Sequence, residues 1–278
     1  MTGGMVGPDV LSRDSLPLSG KNVLVTGVSR RAGIGYAIAC RAAAYGANVF
    51  CHHYVPHDDD QEWGRDDLDA VLAGVREHVM PGAQLADKHA DLTVPDAAGE
   101  LVAAVISEFG SLDGLVCNQA LTGADGELDE LTAEDLDRHW AVDARASILL
   151  TQAFARHHEH GTRGSIVFLS SGQELGPMPG VPYAAAKAAI AGATLTISEQ
   201  LADRGIRVNA VNPGPVDTGY LTEDMWETVS PMFPFGRYGQ PDDPARLITW
   251  LLTEEAEWMT GQVLNTEGGF GRWRPRGP

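Results

Sequence analysis

The stretch Asn22-Val23-Leu24-Val25-Thr26-Gly27-Val28-Ser29-Arg30-Arg31-Ala32-Gly33-Ile34-Gly35 decides how this chain folds. A short apolar run of strand character ends at Thr26-Gly27, a glycine-containing turn follows, and Ile34 opens a helical stretch that reaches Tyr45. Glycines let a backbone turn tightly and approach an anion closely. The free N–H groups at the start of a helix favour a phosphate there. An ordinary strand-to-helix turn has a similar composition, so the meaning of the motif depends on the rest of the chain.

The rest repeats the pattern. Short β-like runs at 47–54, 84–90, 114–117, 165–169, 206–211 and 262–264 alternate with helical stretches at 96–109, 133–157 and 183–204. Strands that are apolar throughout, separated by helices, predict a parallel sheet covered on both faces: a doubly wound α/β fold of the Rossmann kind. Gly46 and Gly205 each follow a helix and precede a strand, the position where a left-handed residue ends a helix. Residues 1–19 read as a flexible leader, 20–271 as a single domain and 272–278 as a basic tail. Two segments lengthen the alternation. The acidic stretch 56–67 lengthens the connection after the second strand, with its 58–60 run reading as a solvated loop, and 218–243, carrying Trp226, Met232 and Phe233, reads as a substrate lid, an oligomer contact being the other use of the same apolar composition.

Composition narrows the function. A formal charge of −18 argues against nucleic acid and anionic membrane surfaces, both of which need clustered Lys and Arg. No apolar run approaches the ~20 residues of a membrane helix, and the first 20 residues lack a basic start and an apolar core, so a cytoplasmic location is expected. Cys40, Cys51 and Cys117 are widely spaced and read as reduced thiols. The histidines 52, 53, 57, 157, 158 and 160 straddle a strand end or close a helix, and no metal site is expected from them.

Only three lysines occur, and Lys187 stands four residues after Tyr183. On a helix that spacing puts phenol and ammonium on one face. The ammonium favours the tyrosinate and draws its pKa down from about 10. Ser170 and Ser171, at the end of a strand, supply a hydroxyl that can hold a carbonyl or alcohol oxygen while the tyrosine transfers a proton.

With these motifs the sequence resembles the short-chain dehydrogenase/reductase family over roughly residues 21–270, and within it bacterial 3-oxoacyl-carrier-protein-reductase-like proteins. The resemblance implies a dinucleotide held by Gly27, Ser29, Arg30, Arg31, Gly33 and Ile34 of the turn. It further implies cofactor contacts from His53, Asp91, Leu92, Asn118, Ala120, Tyr183, Lys187, Pro213, Gly214, Val216 and Thr218. Asn118-Gln119-Ala120 stands where the family usually has Asn-Ala-Gly. The implied catalytic set is Asp143, Ser171, Tyr183 and Lys187. Ser170 matches the family's spacing to the tyrosine, whereas counting from the strand start favours Ser171, which is preferred. A small-molecule carbonyl or alcohol substrate and a homotetramer, with a dimer next, are implied too.

Three departures bear on function. The turn has five residues between Gly27 and Gly33, a spacing similar to the enoyl-carrier-protein reductase branch, and that activity or a catalytically weak dinucleotide sensor is the alternative to carbonyl reduction. His53, not an acid, ends the second strand, and Arg30 and Arg31 stand nearby to neutralise a 2′-phosphate, so NADP(H) is favoured over NAD(H). Asp143 replaces the family's asparagine. Its added negative charge stabilises a protonated Lys187 and is expected to move the activity optimum to higher pH.

Overall fold

The computed structural model describes residues 12–123, 128–159, 161–172, 175–176 and 180–271. Most of the leader and the basic tail lie outside the described residues, as do His160, Met178 and Pro179. Seven strands, β1 (Asn22–Val25), β2 (Asn48–His53), β3 (Leu85–His89), β4 (Gly114–Cys117), β5 (Gly164–Leu169), β6 (Ile206–Asn212) and β7 (Val263–Asn265), form one sheet in the order β3-β2-β1-β4-β5-β6-β7. Every neighbouring pair is parallel. The doubly wound reading therefore holds.

Alternate side chains of the central strands feed two cores. Leu24, Leu115, Ile166 and Phe168 point to one face, where α4 (Ala97–Phe109), α6 (Ala146–His157) and α7 (Val181–Ala202) contribute Leu101, Val105, Leu150, Phe154 and Ile190. Val23, Val25, Val116 and Val167 point to the other, against Ile38 and Ala42 of α1 (Ile34–Ala44), Val71 and Val75 of α3 (Leu68–Arg76), and Ile248 and Leu251 of α9 (Asp242–Leu252). Residues buried on both faces explain why these strands read as unbroken apolar runs. Gly46 (φ 92°) and Gly205 (φ 73°) take the left-handed conformation expected of them.

Two local readings change. The helix expected over 133–157 is three pieces: α5 (Ala133–His139), a π-helical turn (Trp140–Arg145) and α6. The Ala146 N–H reaches back five residues to the Ala141 carbonyl, and the extra residue in that turn brings Ala141, Asp143 and Ala144 into the interior. The acidic segment 56–67 is not loop throughout, and Asp58 of its 58–60 run is not solvated, whereas Asp59 and Asp60 are exposed. It begins with α2 (Val55–Asp59), which has Pro56 in its first turn, and buries Asp58. The remaining short helix, α8 (Glu223–Val229), lies in the segment read as a lid.

The functional end of the sheet is set where the order reverses, between β1 and β4, since loops leaving the carboxyl ends of those strands diverge and open a crevice. Its floor is tight. A Cβ on Gly35 would lie 2.4 Å from the Gly27 carbonyl oxygen and 2.6 Å from Asn118 Nδ2, whereas one on Gly99 in α4 would meet nothing within 4 Å. Chemical denaturation is therefore expected to show opposite effects of one methyl group. Gly35→Ala loses about 1–3 kcal/mol through overpacking against backbone, and Gly99→Ala gains about 0.5–1 kcal/mol from reduced chain entropy. Equal shifts would mean that the contact at Gly35 is not rigid.

Candidate active site

A cleft of 670 Å³ opens at the carboxyl ends of the strands. Gly27, Ser29 and Arg30 reach it from the β1 turn, Gly33 and Ile34 from the start of α1, and Asp91 and Leu92 from the exit of β3. Asn118 and Ala120 follow β4, Ser170 and Ser171 follow β5, and Tyr183 and Lys187 come from α7. Pro213, Gly214, Val216 and Thr218 follow β6. The structure thus brings together residues spread over some 190 positions of chain. Among the expected contacts, Arg31 and His53 do not line this cleft.

The walls are tied together by a network that begins at Thr26. Its Oγ1 accepts from the Asn118 and Gln119 backbone N–H groups at 2.9 and 3.2 Å, and Asn118 Nδ2 donates to the Thr26 carbonyl at 2.8 Å. Gln119, which the motif comparison treated as a mere variation, is buried, and its Nε2 donates to Ser147 Oγ at 2.9 Å and to the Val142 carbonyl at 3.1 Å. It therefore ties the β1–β4 floor to the π-helical turn. His52, not His53, supports the glycine turn: the Gly27 N–H donates to His52 Nδ1 at 3.2 Å, while His52 Nε2–H donates to the Ala90 carbonyl at 2.9 Å. Burial pulls the His52 pKa down to about 4, so the ring stays neutral and keeps its acceptor nitrogen.

His53 faces away from the cleft, with Nε2 3.1 Å from Asp87 Oδ2. Arg31 is exposed and forms a bidentate pair with Asp66, which holds that carboxyl down at about 2. Arg30 is different. Its Nε lies 3.2 Å from the buried carboxylate of Asp58, its Nη1 donates to the Thr218 carbonyl at 2.9 Å, and its guanidinium sits 4.8 Å over the Trp63 ring. Burial lowers the Arg30 pKa, opposed by the charges of Asp58 and Asp66. Asp58 and Trp63 were missed as site residues. Pro56 followed by Asp58 was a sequence signal for a helix start, but nothing local showed that the helix would turn inward.

At the other end of the cleft Tyr183 and Lys187 share a face of α7 as their spacing required. Lys187 is buried, donates from Nζ to the Leu169 carbonyl at 3.1 Å, and lies 5.6 Å from the centre of the Tyr183 ring. Burial lowers the Lys187 pKa, and the neighbouring Asp143 works against that. Asp143 does not line the cleft. It stands behind Lys187 with Oδ1 4.0 Å from Nζ, accepting from the Leu121 N–H at 2.8 Å. Both serines line the cleft; Ser171 is half-buried, and Ser170 Oγ is buried without a hydrogen-bond partner among the described residues.

From the segment read as a lid, only Thr218 and Tyr220 line the cleft. Trp226, Phe233 and Tyr238 stack on one another, and Phe233 also meets Phe270 at 4.8 Å between ring centres. The apolar surface of these rings is spent on one another and on Phe270, away from the cleft lining, whereas Met225 and Phe235 of the same segment are exposed. Tyr220 Oη and Tyr238 Oη lie 3.1 Å apart. Among the described residues no group of three or more His, Cys, Asp or Glu is placed to hold a metal ion, and no helix is long and apolar enough to cross a membrane.

The cleft fits a dinucleotide on the structure's own terms. Helix α1 starts at Gly33 with no side-chain cap and no acid in its first turn, so its N–H groups are available where a diphosphate would lie. A family profile described as "Enoyl-(Acyl carrier protein) reductase" matches residues 27–271. An uncharacterized oxidoreductase of Bacillus subtilis, YjdA, is 40% identical over 254 residues, covering 90% of this chain and 96% of its own. The reductase LugOII, described as promiscuous and as catalysing keto-reduction at C1 during lugdunomycin biosynthesis, is 36% identical with a TM-score of 0.78, covering 91% of this chain and 99% of its own. A short-chain dehydrogenase of Burkholderia cenocepacia, solved in complex with NADP, has the same identity and TM-score and covers 91% of this chain and 98% of its own. The sheet order, the shared cleft and these likenesses agree, and the chain belongs to the short-chain dehydrogenase/reductase family of NAD(P)-dependent oxidoreductases.

Proposed function

We propose that this chain is an NADP(H)-dependent carbonyl reductase that interconverts a ketone and a secondary alcohol. The observation that carries the reading is the convergence of Tyr183, buried Lys187 and the strand-end serines on the cleft floored by the glycine turn. When bound, the nicotinamide supplies or accepts the hydride. Tyr183 gives its phenolic proton to the carbonyl oxygen as the alcohol forms and takes it back in the reverse direction. Lys187 acts through its charge, which stabilises the tyrosinate in a site where burial strengthens electrostatics. Ser171 orients the substrate oxygen, with Ser170 the alternative donor on the same wall.

The enoyl-carrier-protein reductase branch that the glycine spacing resembles separates its tyrosine and lysine by more than four residues, so the four-residue spacing of Tyr183 and Lys187 favours carbonyl over enoyl reduction, even though the matching family profile carries the enoyl name. Support for NADP(H) is twofold: β2 ends in His53 rather than an acid, and the Burkholderia relative was solved with NADP. Arg30 bridges the glycine turn to Thr218, and this tether supports reading it as a contact to the diphosphate common to both cofactors rather than to the 2′-phosphate. The family's homotetramer is proposed as well, supported by the exposed apolar side chains of Trp140, Ile148 and Leu195 on the surfaces of the π-helical turn, α6 and α7.

Three measurements test this reading. Against a ketone panel that includes a 3-oxoacyl thioester, Tyr183→Phe is expected to keep cofactor affinity and lose ~10²–10⁴ in turnover, while Lys187→Ala loses both; retained turnover in the tyrosine variant refutes the assignment. In cofactor titrations, Arg30→Ala weakens NADPH and NADH alike by about 10- to 100-fold, the worth of a charged hydrogen bond, and Arg31→Ala changes neither; a loss confined to NADPH would move Arg30 to the 2′-phosphate. Light scattering at micromolar concentration is expected to give four times the chain mass, and a monomer would rule the assembly out.

A further inference from the structure

Asp143 raises an electrostatic problem. A lone buried carboxylate 4.0 Å from Lys187 Nζ would cancel the charge on which the tyrosinate depends. The structure places a second group against it. His139, one turn earlier, is buried, and its Nδ1 lies 3.1 Å from Asp143 Oδ2. The opposite edge of the same ring has Nε2 3.2 Å from the Gly123 carbonyl oxygen.

Both ring nitrogens thus face acceptors, a carboxylate and a carbonyl. A neutral imidazole has one N–H and satisfies only one of them, leaving a lone pair against an oxygen; the imidazolium donates to both. The other Asp143 oxygen already accepts from the Leu121 N–H, so its carboxylate is enclosed by an amide, the Lys187 ammonium and the His139 ring. Among the described residues, Tyr183 of α7, edge-on to the His139 ring at 6.3 Å, His57 of α2, Asp135 of α5, and Cys117 of β4 beside Lys187 also face this cluster. With the ring protonated, the charges of Asp143, His139 and Lys187 sum to +1, the sum that an asparagine and a lysine would give.

We propose that His139 is a positioning residue of this site, an imidazolium that neutralises Asp143, leaves the charge of Lys187 effective beside Tyr183, and anchors the loop after β4 through Gly123. The inference rests on the assignment of Tyr183 and Lys187 to proton transfer. It also revises the expectation that Asp143 alone moves the activity optimum upward, because the added negative charge arrives with its own counter-ion.

The direct test is the protonation state of His139 in the full-length protein, read from imidazole ¹⁵N shifts assigned by their loss in His139→Asn. Two protonated nitrogens at pH 7.5 are expected, and a neutral tautomer overturns the proposal. This readout does not depend on turnover, so it stands or falls separately from the reading of Tyr183. A mutant cycle gives the functional arm. His139→Gln strands the carboxylate and is expected to move the midpoint of the alcohol-oxidation profile up by about one pH unit, lowering kcat about tenfold at neutral pH with KM changed less than twofold. Adding Asp143→Asn removes the stranded charge and returns the profile to within threefold of the parent. A profile unmoved in His139→Gln, or a double variant no better than the single, would show a purely structural role for the ring and refute the proposal. Should either variant fail to bind cofactor or fold, the ¹⁵N measurement decides alone.

Discussion

The contact among Gly27, Gly35 and Asn118 is the constraint on which the site depends. The carbonyl of Gly27, the backbone of Gly35 and the Asn118 amide approach so closely that no side chain fits between them. The closeness lets the start of α1 sit directly over the gap between β1 and β4. Thr26, Asn118 and Gln119 then lock that gap with hydrogen bonds, so the crevice is held open by backbone geometry rather than by loops of uncertain position. Gln119 passes the constraint on to the π-helical turn through Ser147 and Val142. The floor of the cleft and the wall that carries Asp143 behind Lys187 are thereby tied into one unit.

Charge is handled within that unit by pairing. An acidic chain that carries three lysines places one of them in the interior, where desolvation costs several kcal/mol unless compensated. Lys187 is held by the Leu169 carbonyl and by Asp143, and Asp143 in turn by Leu121 and His139. The π-helical turn makes this possible because its extra residue carries Asp143 into the interior while His139, four residues earlier, remains within reach of the same carboxylate.

The acidic segment after β2 shows the same logic at the other end of the cleft. Asp58 would be costly to bury alone, and Arg30 and Trp63 would be poorly ordered in an open loop. Together they form a salt bridge with a stacked ring that packs α2 against the glycine turn. This pairing, with the bond to the Thr218 carbonyl, fixes where Arg30 points in the cleft.

The alternation of elements, the sheet type and the position of the glycine turn were legible in the sequence because they follow from unbroken apolar runs, from the 3.6-residue period of the helices and from glycines at chain reversals, which are local properties. The shared face of Tyr183 and Lys187 was legible for the same reason, as was the presence of site residues after β4, β5 and β6. The π-helical turn was not, since its pattern over 140–145 differs little from that of the helices it joins. Nor was the inward turn of Asp58, the support of the glycine turn by His52, the turning of His53 to Asp87, or the pairing of His139 with Asp143. Each of these depends on which charged or polar side chain meets which partner across elements far apart in the chain, and the cost of burying a charge is settled only when the folded structure supplies its counter-ion.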